Sequence, residues 1–80
     1  MDLREAAAIA KQQINDLFAD DPLQKVRLET FLYDDHLMVW SLTIGFALAS
    51  DGENSEPQPR SYKVVRVSEA NKSVLSVSDP

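Results

Sequence analysis

The residues of this chain that are best suited to chemistry are a single histidine and several paired acids. His36, the only histidine, directly follows Asp34 and Asp35. A neighbouring carboxylate can orient an imidazole as a general base. Catalysis also needs a nucleophile and donors that stabilise developing charge, and the sequence identifies no residues for either role. We therefore expect His36 to be a solvated turn residue and the protein not to be an enzyme.

Two acidic segments contain oxygen ligands of the type that hard cations prefer. The segment 51–54, Asp-Gly-Glu-Asn, is faintly similar to a calcium loop but lacks the alternating ligands and distal glutamate of an EF-hand. Asp20 and Asp21 precede Pro22 and are better explained as the end of a helix. Cysteine is absent, which excludes disulfides and thiolate metal sites. We expect no metal and no cofactor.

The acidic composition restricts the class of partner. The 80 residues include 13 Asp and Glu against 8 Lys and Arg, a formal net charge of −5. Nucleic acid is not an expected partner, because binding its backbone requires a basic stripe. Early acids at Asp2 and Glu5 do not fit a signal peptide and no apolar run is long enough to span a membrane, so we expect a cytoplasmic protein. Acidic turns keep a small protein soluble, and an acidic surface that meets a basic partner is the alternative.

The segment 38–48 is the part of the chain best suited to organise a core. Its large apolar residues recur at every second position, so in a β-strand they project from one face. These residues are Met38, Trp40, Leu42, Ile44, Phe46 and Leu48. Such a row requires a covering layer, and the N-terminal segment supplies one as an amphipathic helix. The apolar side of that helix consists of Leu3, Ala6, Ala7, Ala10, Ile14, Leu17 and Phe18.

Capping and turn residues divide the chain into five elements. We predict a helix over about 3–19, strands over about 25–33, 37–48, 61–68 and 73–77, and a mobile loop over 50–60. Asp2 and Glu5 resemble a capping box, and Asn71 tolerates a left-handed turn conformation. Short links favour antiparallel neighbours. The predicted fold class is α+β, a two-layer single domain over 1–80 with one N-terminal helix packed on a four-stranded antiparallel meander sheet.

The strand predicted over 25–33 alternates, so each of its faces can be assigned. Val26, Leu28, Thr30 and Leu32 are predicted to face one way, and Arg27, Glu29, Phe31 and Tyr33 the other. Gly45, inside the strongest strand, predicts a bulge, a bend or a close approach of another group to the backbone.

The C-terminal segment from Tyr62 to Val77 resembles the final hairpin of PepSY-type domains. In that family a strand that ends near an acidic residue turns through Thr-Gly or Asn-Gly into a Val-Leu-Ser-Val strand, which stands here at 74–77. The alanine-rich helix and the strand that contains a tryptophan are similar too. The resemblance implies a small α+β fold and inhibition or regulation of peptidases, often outside the cytoplasm. Asn71-Lys72 replaces the glycine-containing pair and no export signal is evident, so the resemblance is carried to the fold and to no site residue.

One helix covers only one face of a sheet, so the opposite face is a candidate binding surface. If Trp40 points inward, Leu37 and Val39 point outward, close to Phe31 and Tyr33 across the first hairpin. We predict that Phe31, Tyr33, Leu37 and Val39 form a partner-binding patch of the kind enriched at interfaces. A register slip of one residue would reverse this assignment. In the alternative, Leu32 and its neighbours twist so that part of this set joins the core.

Two classes of function follow from these predictions. The first is a non-catalytic interaction or regulatory module, such as a PepSY-like inhibitor, whose partner is another protein or a second copy of the chain. The open edges of the sheet offer it a second route to a partner. The alternative is a small-ligand-binding domain with a pocket between helix and sheet, lined by Phe18, Trp40 and Tyr62.

Overall fold

The N-terminal helix lies against one face of an antiparallel sheet, as the sequence predicts. A computed structural model describes residues 1–20, 23–48 and 60–80. Its elements are α1 (Leu3–Leu17), β1 (Leu23–Asp34), β2 (Val39–Leu48), β3 (Ser61–Ser68) and β4 (Val74–Ser78). The four strands lie in the order β1-β2-β3-β4, and all neighbours are antiparallel. The fold class is confirmed, whereas the predicted mobile loop over 50–60 falls, apart from Arg60, outside the described residues.

The helix begins at a side-chain cap and ends two residues earlier than predicted. The carboxylate of Asp2 accepts the backbone N–H of Glu5 at 2.9 Å, which satisfies one of the free donors of the first turn. At the other end Phe18 leaves the helical conformation, with φ −110° and ψ 39°. Leu17 then points to solvent and is 52% exposed, so its predicted place on the buried side is wrong. The helix buries Ala6, Ala10 and Ile14 completely.

The core is the layer between α1 and the central strands. Leu42, Ile44 and Phe46 of β2 are buried, as alternation predicts, and Val65 and Val67 of β3 lie beside them. Trp40 is half-buried at the margin of this core. The small side chains of Ala6 and Ala10 face this layer, so the helix backbone can approach the sheet closely.

Met38 does not belong to the predicted row. The carboxylate of Asp34 accepts the backbone N–H groups of His36 and Leu37 at 2.9 and 3.0 Å, which fixes a turn between β1 and β2. Met38 closes this turn in the left-handed region, with φ 56°. The strand therefore begins at Val39 instead of residue 37, and Met38 is an exposed turn residue.

β1 contains two residues more than the stretch of β2 with which it pairs. Gln24 pairs with Ala47 but Arg27 pairs with Gly45, and Leu28 pairs with Ile44 but Thr30 pairs with Thr43. Each shift is a β-bulge with one unmatched residue, and Glu29 occupies the second. Because a bulge interrupts the alternation of sides, Leu28 lies on the helix side but Thr30 and Leu32 lie on the opposite side.

Because of the second bulge, the faces predicted for β1 are right before Glu29 and wrong after it. Val26 and Leu28 pack against the core, as predicted. Beyond Glu29 the prediction is reversed, because Phe31 pairs with Leu42 and Tyr33 pairs with Trp40, both on the helix side of β2. Phe31 and Tyr33 therefore do not share a face with Val39.

The turn between β3 and β4 differs from its prediction by one residue. The left-handed residue is Lys72, with φ 57°, and not Asn71. Asn71 instead accepts the backbone N–H of Ser73 at 3.2 Å and its hydroxyl at 2.6 Å through Oδ1. Lys72 is tied to the helix as well, since its ammonium lies 2.9 Å from Oε1 of Glu5.

Candidate functional site

The side of the sheet that faces away from α1 carries the candidate site, and we call it the open face. Among residues 1–20, 23–48 and 60–80 no second layer lies on this side. The strand register assigns to it a set of small, polar and apolar residues from all four strands. These are Thr30, Leu32, Asp34, Val39, Ser41, Thr43, Val64, Arg66 and Ser76.

A groove crosses the open face near the turn between β1 and β2. Its volume is about 430 Å³, and it is lined by Leu32, Asp34, Leu37, Val39, Ser41, Arg66, Leu75 and Ser76. Three of its leucines are largely in solvent: Leu32 is 67% exposed, Leu37 66% and Leu75 55%. Contiguous apolar side chains at a surface are typical of sites that bind another molecule.

The structure brings together only part of the predicted patch. Leu37 and Val39 line the groove, whereas Phe31 and Tyr33 lie on the other side of the sheet. Leu32 takes the place of Phe31 because of the bulge at Glu29, and the sequence shows no signal for that bulge. Leu75 was missed as well, since it falls at an irregularity where Val67 pairs with Val74 but Arg66 pairs with Ser76.

The groove carries one acid and one base on opposite sides of β2. Asp34 lies on β1, opposite Val39, and Arg66 lies on β3, opposite Ser41. The two positions are two strand spacings apart and offset by two residues along the strands, which gives a separation of about 12 Å. Oδ1 of Asp34 accepts the two backbone N–H groups of the turn. Arg66 forms no ion pair within the described part of the chain.

The predicted ligand pocket between helix and sheet does not contain all of its residues. A cavity of about 370 Å³ is lined by Phe18, Phe46, Ser61, Tyr62, Lys63 and Asp79. The rings of Phe18 and Phe46 lie 5.1 Å apart at its wall, and the ammonium of Lys63 pairs with the carboxylate of Asp79. Trp40 does not border it, since it precedes Phe46 by six positions on β2, about 20 Å along the strand.

Trp40 instead belongs to a polar cluster at the other end of the sheet. Its indole Nε1–H donates to Oε2 of Glu69 at 2.6 Å, and the terminal amino group of Met1 donates to Oε1 at 2.8 Å. The bond from Met1, and then the bond from Trp40, hold the pKa of Glu69 below its ordinary value of 4.5. The ring of Tyr33 lies 4.8 Å from that of Trp40, and its burial there raises the pKa of the Tyr33 hydroxyl.

An ion-pair cluster covers the backbone of Gly45. Oε1 of Glu29 accepts from Nη2 of Arg60 at 3.0 Å and from Nε of Arg27 at 3.1 Å. A Cβ on Gly45 would lie 2.6 Å from that Glu29 oxygen and 2.7 Å from Arg60 Nη2. Of the three alternatives predicted at Gly45, the structure shows the close approach, and the approaching group is the carboxylate of the bulged residue. Hydrogen bonds from both arginines, that from Arg27 first, lower the pKa of Glu29.

Among the residues considered for catalysis and metal binding, Asp21 and the segment 51–54 lie outside the described residues. His36 is exposed in the turn, where its backbone N–H donates to Asp34. Across the described ranges no three His, Asp or Glu side chains lie close enough to hold a metal ion. α1, the only helix that the described residues form, is too short and too polar to cross a membrane.

Comparison with known proteins identifies no relative of this chain. No protein-family model matches it, and no curated protein or solved structure is significantly similar to it. The resemblance of the segment 62–77 to PepSY-type domains therefore stays a prediction that rests on its residues alone.

Proposed function

We propose that this protein is a non-catalytic interaction module that binds a protein partner through the open face. The observation that supports this function is the groove with Leu32, Leu37 and Leu75 in solvent beside Val39. Covering such side chains is favourable by roughly 25 cal/mol for each Å² of apolar surface removed from water. A partner that supplies apolar side chains at this position stabilises the complex.

The proposal places the partner among proteins and the protein in the cytoplasm. An acidic chain without a basic stripe has little affinity for nucleic-acid phosphates. A regulatory or inhibitory role of the PepSY kind is one form that such a module takes. In that role the open face would contact the regulated protein.

Site-specific photo-crosslinking tests the proposal in the source cell. A photo-reactive amino acid replaces Ser76, which lines the groove, and in a matched control it replaces Ala8, which is exposed on the helix. We expect a discrete protein adduct from position 76 and none of that mass from position 8. A second substitution, Leu32→Lys, should remove the adduct, since it places a charge in the groove. Circular dichroism checks that this exposed substitution leaves the fold intact.

Two results would contradict the proposed function. One is the absence of any adduct from position 76. The other is an adduct that survives Leu32→Lys or that position 8 gives equally well. The mass of the adduct identifies the bound protein, so the same experiment separates a second copy of this chain from a different protein.

The alternative function, binding of a small ligand, is supported by a cavity that contains two of its three predicted residues but not Trp40. Phe18 and Tyr62 border the same cavity and the Lys63–Asp79 pair adds charge, which suits a polar aromatic ligand. A metabolite screen read by thermal shift tests it. A stabilising compound should lose its effect on the variant Lys63→Met if it binds there, and should keep its effect if it binds elsewhere.

A further inference from the structure

We infer that the occupant of the open face is a second copy of this chain, related by a two-fold axis that pairs Arg66 of each copy with Asp34 of the other. This inference rests on the proposed function and specifies its partner. The open face is suited to self-association because its charges and apolar residues are divided between two sides that complement each other.

The placement of the charges supports the two-fold relation. Asp34 lies on β1 and Arg66 on β3, with Val39 and Ser41 of β2 between them. A two-fold axis that lies in the plane of the face and passes between Val39 and Ser41 exchanges the two sides. Each copy then presents its Arg66 to Asp34 of the other, which gives two equivalent pairs in an isologous interface.

The exposed leucines follow the same division. Leu37 lies in the turn that follows Asp34, on the β1 side, and Leu75 lies on β4, beyond Arg66. The operation that exchanges Asp34 and Arg66 therefore moves Leu75 of one copy towards Leu37 of the other. Apolar contacts flank the ion pairs, and such flanking contacts exclude water and strengthen paired charges.

The balance of charge in the groove favours a copy of this chain over a basic partner. The protein as a whole has a formal charge of −5, but the groove contains one acid and one base. A strongly basic partner would meet the positive charge of Arg66 on the β3 side of the groove. An identical face meets each charge with its opposite, and an arginine and a carboxylate form the strongest pair of this type.

The size of the face is sufficient for a dimer. Four strands at about 4.8 Å spacing give a width of about 19 Å. The strands have 12, 10, 8 and 5 residues at about 3.3 Å each, so the face covers roughly 550 Å² in each copy. Two copies together exceed the roughly 1,000 Å² that a specific interface needs.

Charge exchange between copies tests the inference. In light scattering the purified wild type should have twice the mass of the 9.0 kDa chain. Arg66→Asp places two acids at each contact, and Asp34→Arg places two bases there, so each should weaken the dimer by about 100-fold or more. A mixture of the two variants pairs every acid with a base and should restore the dimer. Arg4→Asp, an exposed helix substitution with the same charge change, should leave the mass unchanged.

A milder variant covers the case in which Asp34→Arg disturbs the turn. Asp34→Asn keeps an oxygen for the N–H groups of His36 and Leu37 while it removes the charge. The Asn variant should remain folded and weaken the dimer by about tenfold.

Three results would overturn the second copy as partner. They are a monomeric wild type at the highest attainable concentration, a dimer that Arg66→Asp affects no more than Arg4→Asp, and a mixture that stays monomeric although both variants are folded. If the wild type is monomeric and position 76 still forms an adduct with a different protein, only the second copy is refuted. If neither association nor adduct occurs, the proposed function fails as well.

Discussion

Trp40 and Glu69 are joined by a hydrogen bond from the indole Nε1–H to Oε2 at 2.6 Å, which ties the start of β2 to the turn after β3. The backbone supports the same connection, since the N–H of Glu69 donates to the carbonyl oxygen of Met38 at 3.0 Å. Oε1 of Glu69 accepts the amino group of Met1. One carboxylate thus holds the N-terminus, the central strand and a turn together.

The acid side of the stability profile should depend on Glu69. The bond from the Met1 amino group, and then that from Trp40, lower the pKa of Glu69 below 4.5 in the folded protein. The unfolded chain therefore takes up this proton at higher pH than the folded one. The stabilisation is present above the unfolded pKa and is lost as pH falls through the folded pKa. We expect Glu69→Gln to lower Tm at pH 7 and to flatten the dependence of Tm on pH below about 4.5.

The fluorescence of Trp40 distinguishes this carboxylate from others. Trp40 is the only tryptophan and its indole N–H is bonded to Glu69, so we expect protonation of Glu69 to change the emission of the protein. The control Glu29→Gln removes another carboxylate whose pKa is lowered but which is not the partner of the indole. In this variant the change in emission at acid pH should persist. The same emission change in Glu69→Gln would show that another group causes it.

The effect of a Gly45 substitution on stability should depend on the residue at position 29. In the wild type, the Cβ of Gly45→Ala meets the carboxylate of Glu29 and displaces it from Arg60. In a Glu29→Ala background only the flexible end of the Arg60 side chain remains close to that Cβ, so alanine should stabilise the strand by about 0.5–1 kcal/mol over glycine once this end moves aside. Urea unfolding of the wild type, the two single variants and the double variant gives the coupling free energy between the two positions. Equal effects of Gly45→Ala in both backgrounds would refute the close approach.

Close packing of helix and sheet should make Ala10 intolerant of larger side chains. Ala10 has no exposed surface and faces the core, whereas Ala8 is exposed on the same helix. Ala10→Leu should cost about 1–3 kcal/mol of unfolding free energy through overpacking. Ala8→Leu, the same change of residue, should stay within about 0.5 kcal/mol of the wild type. If the two variants were equally stable, the orientation of α1 would be wrong.

The left-handed conformation of Met38 should favour glycine over alanine. Met38 has φ 56°, which costs about 1–2 kcal/mol for a residue with a Cβ. Glycine avoids this cost, but its larger entropy in the unfolded chain offsets part of the advantage. Met38→Gly should therefore be about 0.5–1 kcal/mol more stable than Met38→Ala in chemical denaturation. A more stable Met38→Ala would be inconsistent with the turn described here.

Long periodic patterns predicted most of the fold. The alternation in β2 located Leu42, Ile44 and Phe46 in the core, and the spacing of Ala6, Ala10 and Ile14 located the helix against them. These patterns depend on side-chain period alone, which survives local irregularities. The prediction failed where the conformation of a single residue differs from its neighbours. The positive φ of Met38 makes β2 shorter than predicted, and the early end of the helix leaves Leu17 exposed.

The candidate site was predictable only where no bulge intervened. Leu37 and Val39 adjoin the turn, so the orientation of Trp40 was sufficient to place them. The positions of Leu32 and Leu75 depend on unmatched residues in β1 and β4. A bulge leaves no periodic trace in one sequence, because the polar residue that occupies it, here Glu29, fits an ordinary exposed strand position equally well.

The unmatched position of Glu29 determines which surface of the protein is aromatic and which is aliphatic. If Glu29 took an ordinary paired position instead, the remainder of β1 would be turned over, so that Phe31 and Tyr33 would exchange sides with Leu32. Trp40 would lose its stacking neighbour, and two rings would appear where the leucine now stands. One backbone irregularity therefore sets the chemical character of the outer surface, without any difference in the residues of the surface itself.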